Sequence, residues 1–253
     1  MRVIITKNYE EMSKIAAKEI AKLLYVKPEA ILGLATGSTP EGVYKELIDL
    51  NKEHRADFSK ATSYNLDEYK GLKGNHPQSY RYFMDSNLFN HVNIDKSKTY
   101  VPNGTAENFE KECMEYDDAI ENAGGIDLQL LGIGTNGHIG FNEPSDFLNL
   151  NTHVTDLTED TIKANSRFFE NIEEVPTQAV TMGLGSIMKS KKIILLASGE
   201  KKAEIIAKLV EEKISTRIPA SMLQVHPNVV VIVDEEAASL LEKTSNSEIE
   251  YSK

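Results

Sequence analysis

Residues 30–50 read AILGLATGSTPEGVYKELIDL, and the fold follows from this stretch. ILGLA is a continuous apolar run with no polar alternation, which suits a strand covered on both faces. The run breaks at Thr36-Gly37-Ser38-Thr39-Pro40, and EGVYKELIDL then has helical character. Gly37 permits a tight turn, Thr39 offers a capping hydroxyl, and Pro40 suits a first helical turn, where its missing N–H costs nothing. A strand passing through a short turn into a helix is half of a βα crossover, the unit from which parallel sheets are built.

The same alternation recurs on either side. Apolar runs at 3–6, 61–66, 126–133, 193–197 and 229–233 read as strands, and amphipathic stretches at 9–25, 40–50, 106–122 and 200–213 as helices. Met12, Ile15, Ala16, Ile20, Leu23 and Leu24 fall on one helical face, whereas VVVIV at 229–233 suits a strand buried between two layers. The expectation is an α/β fold with a mostly parallel central sheet, helices on both faces, and one domain over 1–253. Residues 142–167 are polar and weakly periodic, and read as an excursion that shapes or covers a pocket. TSNSEIEYSK at 244–253 reads as a short polar end.

Bulk composition narrows the function. The 253 residues carry a formal net charge of -11, which disfavours a nucleic-acid partner but not a small anion held by helix termini and a few placed cations. No apolar run approaches the roughly 18 residues of a membrane span, and MRVIITKNYEEM lacks the pattern of a secretory signal, so a cytoplasmic protein without membrane association is expected. Cys113 is the sole cysteine, which excludes an intramolecular disulfide framework, and within EKECMEYDD it reads as a helical bystander.

In a parallel sheet ligands bind beyond the carboxyl ends of the strands, so the residues after each apolar run carry the functional reading. After ILGLA, the first exit with a motif, Thr36, Gly37, Ser38 and Thr39 form either an anion site at a helix start or an ordinary capped turn; the Gly-Lys-Ser/Thr ending of a Walker A loop is absent. After the second comes NLDEY, where Asp67 or Glu68 could act as a general base, with a solvated acidic turn as the alternative. Strand alternation requires only one of the two to face a pocket.

After the third comes GIGTNGHIGFNEP. Gly132, Gly134 and Gly137 match a bare GxGxxG, but Gly140 and Pro144 interrupt the helix a dinucleotide site would need, so no nicotinamide cofactor is expected. His138, with Asn142 and Glu143 close by, is the best acid/base candidate, although a histidine bonded to loop backbone would look the same. Asp67, His138 and Glu143 form no recognised metal-ligand spacing, and no metal is expected. Arg167 in ANSRFF and Lys202 in SGEKK are candidate cations for a phosphate.

Taken together, ATGSTP, NLDEY, GIGTNGHIGFNEP, ANSRFF and SGEKK resemble the glucosamine-6-phosphate deaminase (glucosamine-6-phosphate isomerase) family over essentially the whole chain. The resemblance implies a three-layer α/β/α Rossmann-like fold with a lid-like excursion. It also implies conversion of glucosamine 6-phosphate and water to fructose 6-phosphate and ammonia in amino-sugar catabolism, without a cofactor. By the same resemblance Asp67 moves a proton from C2 towards C1, His138 assists ring opening, and Glu143 supports the histidine. Ser38, Arg167 and Lys202 hold the phosphate. Some family members carry aspartate at the position of Asn136, where it joins the histidine and glutamate in a chain; Asn136 lacks that charge. Activated members place an arginine and a lysine where His153 and Thr155 stand here, so activation by N-acetylglucosamine 6-phosphate is not expected. Self-association is left open.

Overall fold

The computed structural model describes residues 1–166, 169, 171–211, 213–241 and 248–252, and among these eight parallel strands form the central sheet. They are β1 (Arg2–Thr6), β2 (Ile31–Leu34), β3 (Thr62–Asn65), β5 (Thr99–Tyr100), β6 (Leu128–Gly132), β9 (Ile193–Ala197), β10 (Val229–Asp234) and β11 (Glu248–Tyr251). Their order is β11-β1-β10-β9-β6-β2-β3-β5. A smaller antiparallel sheet, ordered β4-β8-β7, joins β4 (Asp67–Tyr69), β7 (His153–Asp156) and β8 (Gln178–Thr181).

Side-chain alternation explains the layering. Val3, Ile5, Leu131, Leu195, Val231 and Val233 enter one core, with Tyr116 and Ile120 of α4 (Phe109–Asn122) and Ile205, Ile206 and Leu209 of α7 (Ala203–Val210). Ile4, Leu32, Leu34, Leu130, Ile194 and Ile232 enter the other, with α1 (Tyr9–Val26) and α2 (Ser38–Lys52). Every residue of β9 and β10 is buried, as their unbroken apolar runs predict. The result is the expected three-layer α/β/α arrangement. No helix among the described residues is long and apolar enough to cross a membrane.

Several boundaries differ from the sequence reading, each for a local reason. The helix expected at 40–50 already starts at Ser38, with Gly37 as its N-cap, so Thr39 lies in the first turn and is not the cap. The stretch 106–122 becomes helical only at Phe109, because the Asn108 side chain accepts from Lys111 N and caps the helix there. The stretch 200–213 divides into a 3-10 turn, Glu200–Lys202, followed by α7, which ends at Val210. Residues 142–167 are more than a polar excursion: they supply β7 and α5 (Glu159–Asn165). The terminal segment is not simply a polar end either, since β11 pairs with β1 from Arg2↔Glu248 to Ile5↔Tyr251 and Ile249 packs on the core. Cys113 sits on α4 as expected; burial pushes its thiol up to about 11, which leaves it protonated at neutral pH.

Two further α-helices stand among the described residues: α3 (Tyr80–Met84), which runs on into a π-helical turn, Asp85–Phe89, and α6 (Leu184–Met188). From β2 the chain moves to β3 on one side, and it later places β6 on the other. The carboxyl ends of β2 and β6 therefore flank a topological switch point, where an open α/β sheet leaves a crevice.

Candidate active site

A cavity of 590 Å³ occupies this crevice. Residues from four strand exits line it: Thr36 to Thr39 after β2, Leu66 and Asp67 after β3, Gly132 to Asn136 with His138 after β6, and Lys202 after β9. Tyr80, Tyr82, Phe83, Ser86 and Asn87, from α3 and the π-helical turn, form another wall. A second cavity, 980 Å³, lies against α4 and β7, and among the described residues none of the candidate catalytic or phosphate-binding ones lines it.

Gly37 has a φ of 96°, a conformation that favours glycine, and as N-cap it makes no side-chain capping bond. The first turn of α2 therefore keeps N–H groups that no capping side chain satisfies, beside the Ser38 and Thr39 hydroxyls on the cavity wall. The Tyr9 hydroxyl, which the sequence did not single out, braces this turn. It accepts from Gly42 N at 2.7 Å and lies 3.0 Å from the carbonyl oxygens of Ser38 and Thr39.

Of the adjacent acids, Asp67 lines the cavity and Glu68 does not. Asp67 is 6% exposed, and burial, with the nearby Glu68 charge, pushes its carboxyl up to about 8. The Glu68 carboxylate instead accepts from the backbone N–H groups of Tyr69 and Tyr80, each at 2.8 Å, and of Arg81 at 3.0 Å. It thereby ties the start of α3 to β4. Burial raises Glu68 to about 7, with those three amides pulling the other way.

The loop after β6 holds the histidine. A Cβ at position 134 would come within 2.4 Å of the His138 ring, so glycine there is what lets the imidazole lie against the backbone. Nδ1 of His138 stands 3.1 Å from Glu143 Oε1, an ion-pair distance, though off the line of a hydrogen bond. Asn136 Nδ2 donates to the other oxygen, Glu143 Oε2, at 2.7 Å, and Asn136 Oδ1 accepts from His138 N at 3.1 Å. Glu143 is held below the ordinary carboxylate range: its burial is outweighed by His138, Thr161 and Asn136. Asn142 has a different role. Its Nδ2 donates to the carbonyls of Ile139 and Met182 at 2.9 and 2.8 Å, pinning the loop.

Lys202 is half-buried on the wall. Burial lowers its pKa, and its Nζ donates to Ile133 O at 2.6 Å. The structure thus brings Thr36, Gly37, Ser38, Thr39, Asp67, Asn136, His138 and Lys202 around one cavity, with Glu143 joined to it through His138 and Asn136. Arg167 lies outside the described residues. The aromatic wall of Tyr69, Tyr80, Phe141 and Phe169 has no signature as a unit in the sequence, because aromatics scattered from 69 to 169 carry no local pattern. No group of three or more His, Cys, Asp or Glu side chains among the described residues could hold a metal ion.

Residues 6–232 match the family described as glucosamine-6-phosphate isomerases/6-phosphogluconolactonase. The chain is 64% identical over 241 residues to a glucosamine-6-phosphate deaminase of Clostridium perfringens (strain 13 / Type A), covering 95% of this chain and 100% of that protein. It is 58% identical over 250 residues to one of Thermoanaerobacter pseudethanolicus, covering 99% of each. Among solved structures, a monomeric glucosamine-6-phosphate deaminase superposes with a TM-score of 0.92 at 48% identity, over 95% of this chain and 100% of that one. A 6-phosphogluconolactonase from Thermotoga maritima shares the fold, with a TM-score of 0.72 at 23% identity over 92% of this chain and 100% of that one.

Proposed function

The chain belongs to the glucosamine-6-phosphate isomerase/6-phosphogluconolactonase family, and on that premise we propose that it deaminates glucosamine 6-phosphate, yielding fructose 6-phosphate and ammonia with uptake of water. The substrate is a small phosphorylated amino sugar. One observation carries the assignment of roles: a buried carboxylate with a raised pKa, a carboxylate-supported imidazole and an uncapped helix start face a single cavity at the switch point of the sheet.

In this reading the phosphate rests against Thr36 to Thr39 and Lys202, with Arg167 completing the site. A phosphate at a helix start gains from the N–H groups and the helix dipole together. Contacts there, remote from C1 and C2, orient the sugar without joining in bond cleavage. His138, steadied by Glu143 and Asn136, passes a proton during ring opening and exposes the C1 aldehyde. Asp67 takes the C2 proton and returns it at C1. The enolamine becomes an imine at C2; water adds there and ammonia leaves. A carboxyl raised to about 8 is a stronger base than an ordinary aspartate and suits removal of a carbon-bound proton. Neither redox nor group-carrier chemistry is needed to balance the reaction.

Purified protein given glucosamine 6-phosphate and, separately, 6-phosphogluconolactone decides between the two activities in the family description. Equal amounts of ammonia and fructose 6-phosphate, with little lactone hydrolysis, are expected. The reverse preference would overturn the assignment.

A further inference from the structure

Thr161 has no part in the chemistry above, yet it is built into the site. It lies on α5, is 9% exposed and forms part of the cavity wall. Its hydroxyl donates to Glu143 Oε1 at 2.8 Å, the oxygen that stands 3.1 Å from His138 Nδ1. The hydroxyl is itself oriented from behind. Thr158, the N-cap of α5, accepts from Thr161 N at 3.2 Å and donates to Thr161 Oγ1 at 3.0 Å. A threonine hydroxyl has one proton, so once Thr161 accepts from Thr158 its own proton is committed to Glu143. Asn136 holds the other carboxylate oxygen. The groups facing Glu143 are therefore one imidazole and two neutral donors, from the loop and from α5, and no Lys or Arg pairs with it among the described residues.

We propose that Thr161 is a positioning residue for the His138–Glu143 pair, its hydroxyl fixing Oε1 beside the imidazole so that α5 sets the geometry of proton transfer. This rests on the reading that His138 assists ring opening. A charge-assisted hydrogen bond to a partly buried carboxylate is directional, and its loss leaves Oε1 free to turn away from the ring.

Thr161→Val keeps the shape and removes the donor. With glucosamine 6-phosphate, kcat is expected to fall on the order of tenfold, the size of one such bond, with KM within about twofold of wild type. Thr161→Ser should restore kcat. In protein labelled with ¹³C at the glutamate carboxyls, with Glu143 assigned by its loss in Glu143→Gln, the Glu143 titration midpoint should rise in Thr161→Val and return in Thr161→Ser. A Thr161→Val enzyme with wild-type kcat, a rise in KM alone, or failure of serine to rescue would overturn the proposal. Should Thr161→Val not fold, Thr158→Ala takes its place: wild-type kcat with an unmoved midpoint would be equally fatal. If the wild type leaves glucosamine 6-phosphate untouched, the functional reading has failed, and the Glu143 midpoint alone decides the role of Thr161.

Discussion

Asp67 and Asp127 are similarly buried, at 6% and 7% exposure, but they shift in opposite directions. At Asp127 burial is outweighed by hydrogen bonds from Lys191, Lys27 and the Ile31 amide, and its carboxyl stays low. Asp67 has no ion pair among the described residues and a neighbouring acid, so burial prevails and its pKa rises to about 8. A raised pKa costs stability with rising pH. Between about pH 4, where an unfolded aspartate ionises, and pH 8 the folded state keeps a proton that the unfolded state has lost, so folding weakens across that window. Asp67→Asn should therefore melt at a higher temperature than wild type at pH 8, with the difference shrinking towards pH 4; differential scanning calorimetry across this range checks the sign. Gly134→Ala tests the opposing wall. Its Cβ would meet the His138 ring at 2.4 Å, so kcat should fall by about tenfold or more, measured against a circular-dichroism control for folding. Asp67 and His138 were legible in the sequence because each follows an apolar run closely. Local spacing leaves open which of Asp67 and Glu68 faces the cavity, and only the family resemblance names Asp67, since the answer depends on α3, whose first-turn amides arrive from residues 80 and 81.

Among the elements, α2 and α3 frame the cavity by opposite devices. The start of α2 has no capping side chain, whereas the start of α3 is closed by Ser79 and Glu68. Substitution at each start should separate binding from proton transfer. At Gly37, alanine must adopt a φ of 96°, which costs roughly 1 kcal/mol or more and shifts the turn. Gly37→Ala should raise KM for glucosamine 6-phosphate several-fold while changing kcat less. Glu68→Gln removes a like charge beside Asp67 and weakens the tie to α3. The rising limb of the kcat/KM pH profile should then move to lower pH, because the base ionises more readily. An unmoved limb would mean that Asp67 does not govern it. α2 starts two residues before the expected Pro40, because Thr39-Pro40 satisfies cap statistics while the bracing Tyr9 hydroxyl comes from α1. The smaller sheet has no legible signature in the sequence, because its strands are three or four residues long and β7 is only half-buried.

At the scale of the whole molecule, the parallel sheet does most to locate the site. Its switch point between β2 and β6 gathers segments that are distant in sequence, and this much could be anticipated from apolar runs followed by turns. The pairing of β11 with β1 could not, since EIEY is too short and polar to be distinguished from a tail. On regulation, β7 reads HVTD, with His153 bonded to Asn151 O and no lysine or arginine in the strand. Without two fixed cations there, an effector phosphate gains little differential affinity between states. Substrate-velocity curves with and without N-acetylglucosamine 6-phosphate should therefore coincide; a sigmoidal curve made hyperbolic by that compound would refute the point. The most direct test of the central claim is the rate of ammonia release from glucosamine 6-phosphate by wild type and Asp67→Asn at one pH. Ammonia matched by fructose 6-phosphate is expected from the wild type, and a folded variant slower by at least about 100-fold in kcat at little-changed KM. A variant releasing ammonia at the wild-type rate would contradict it.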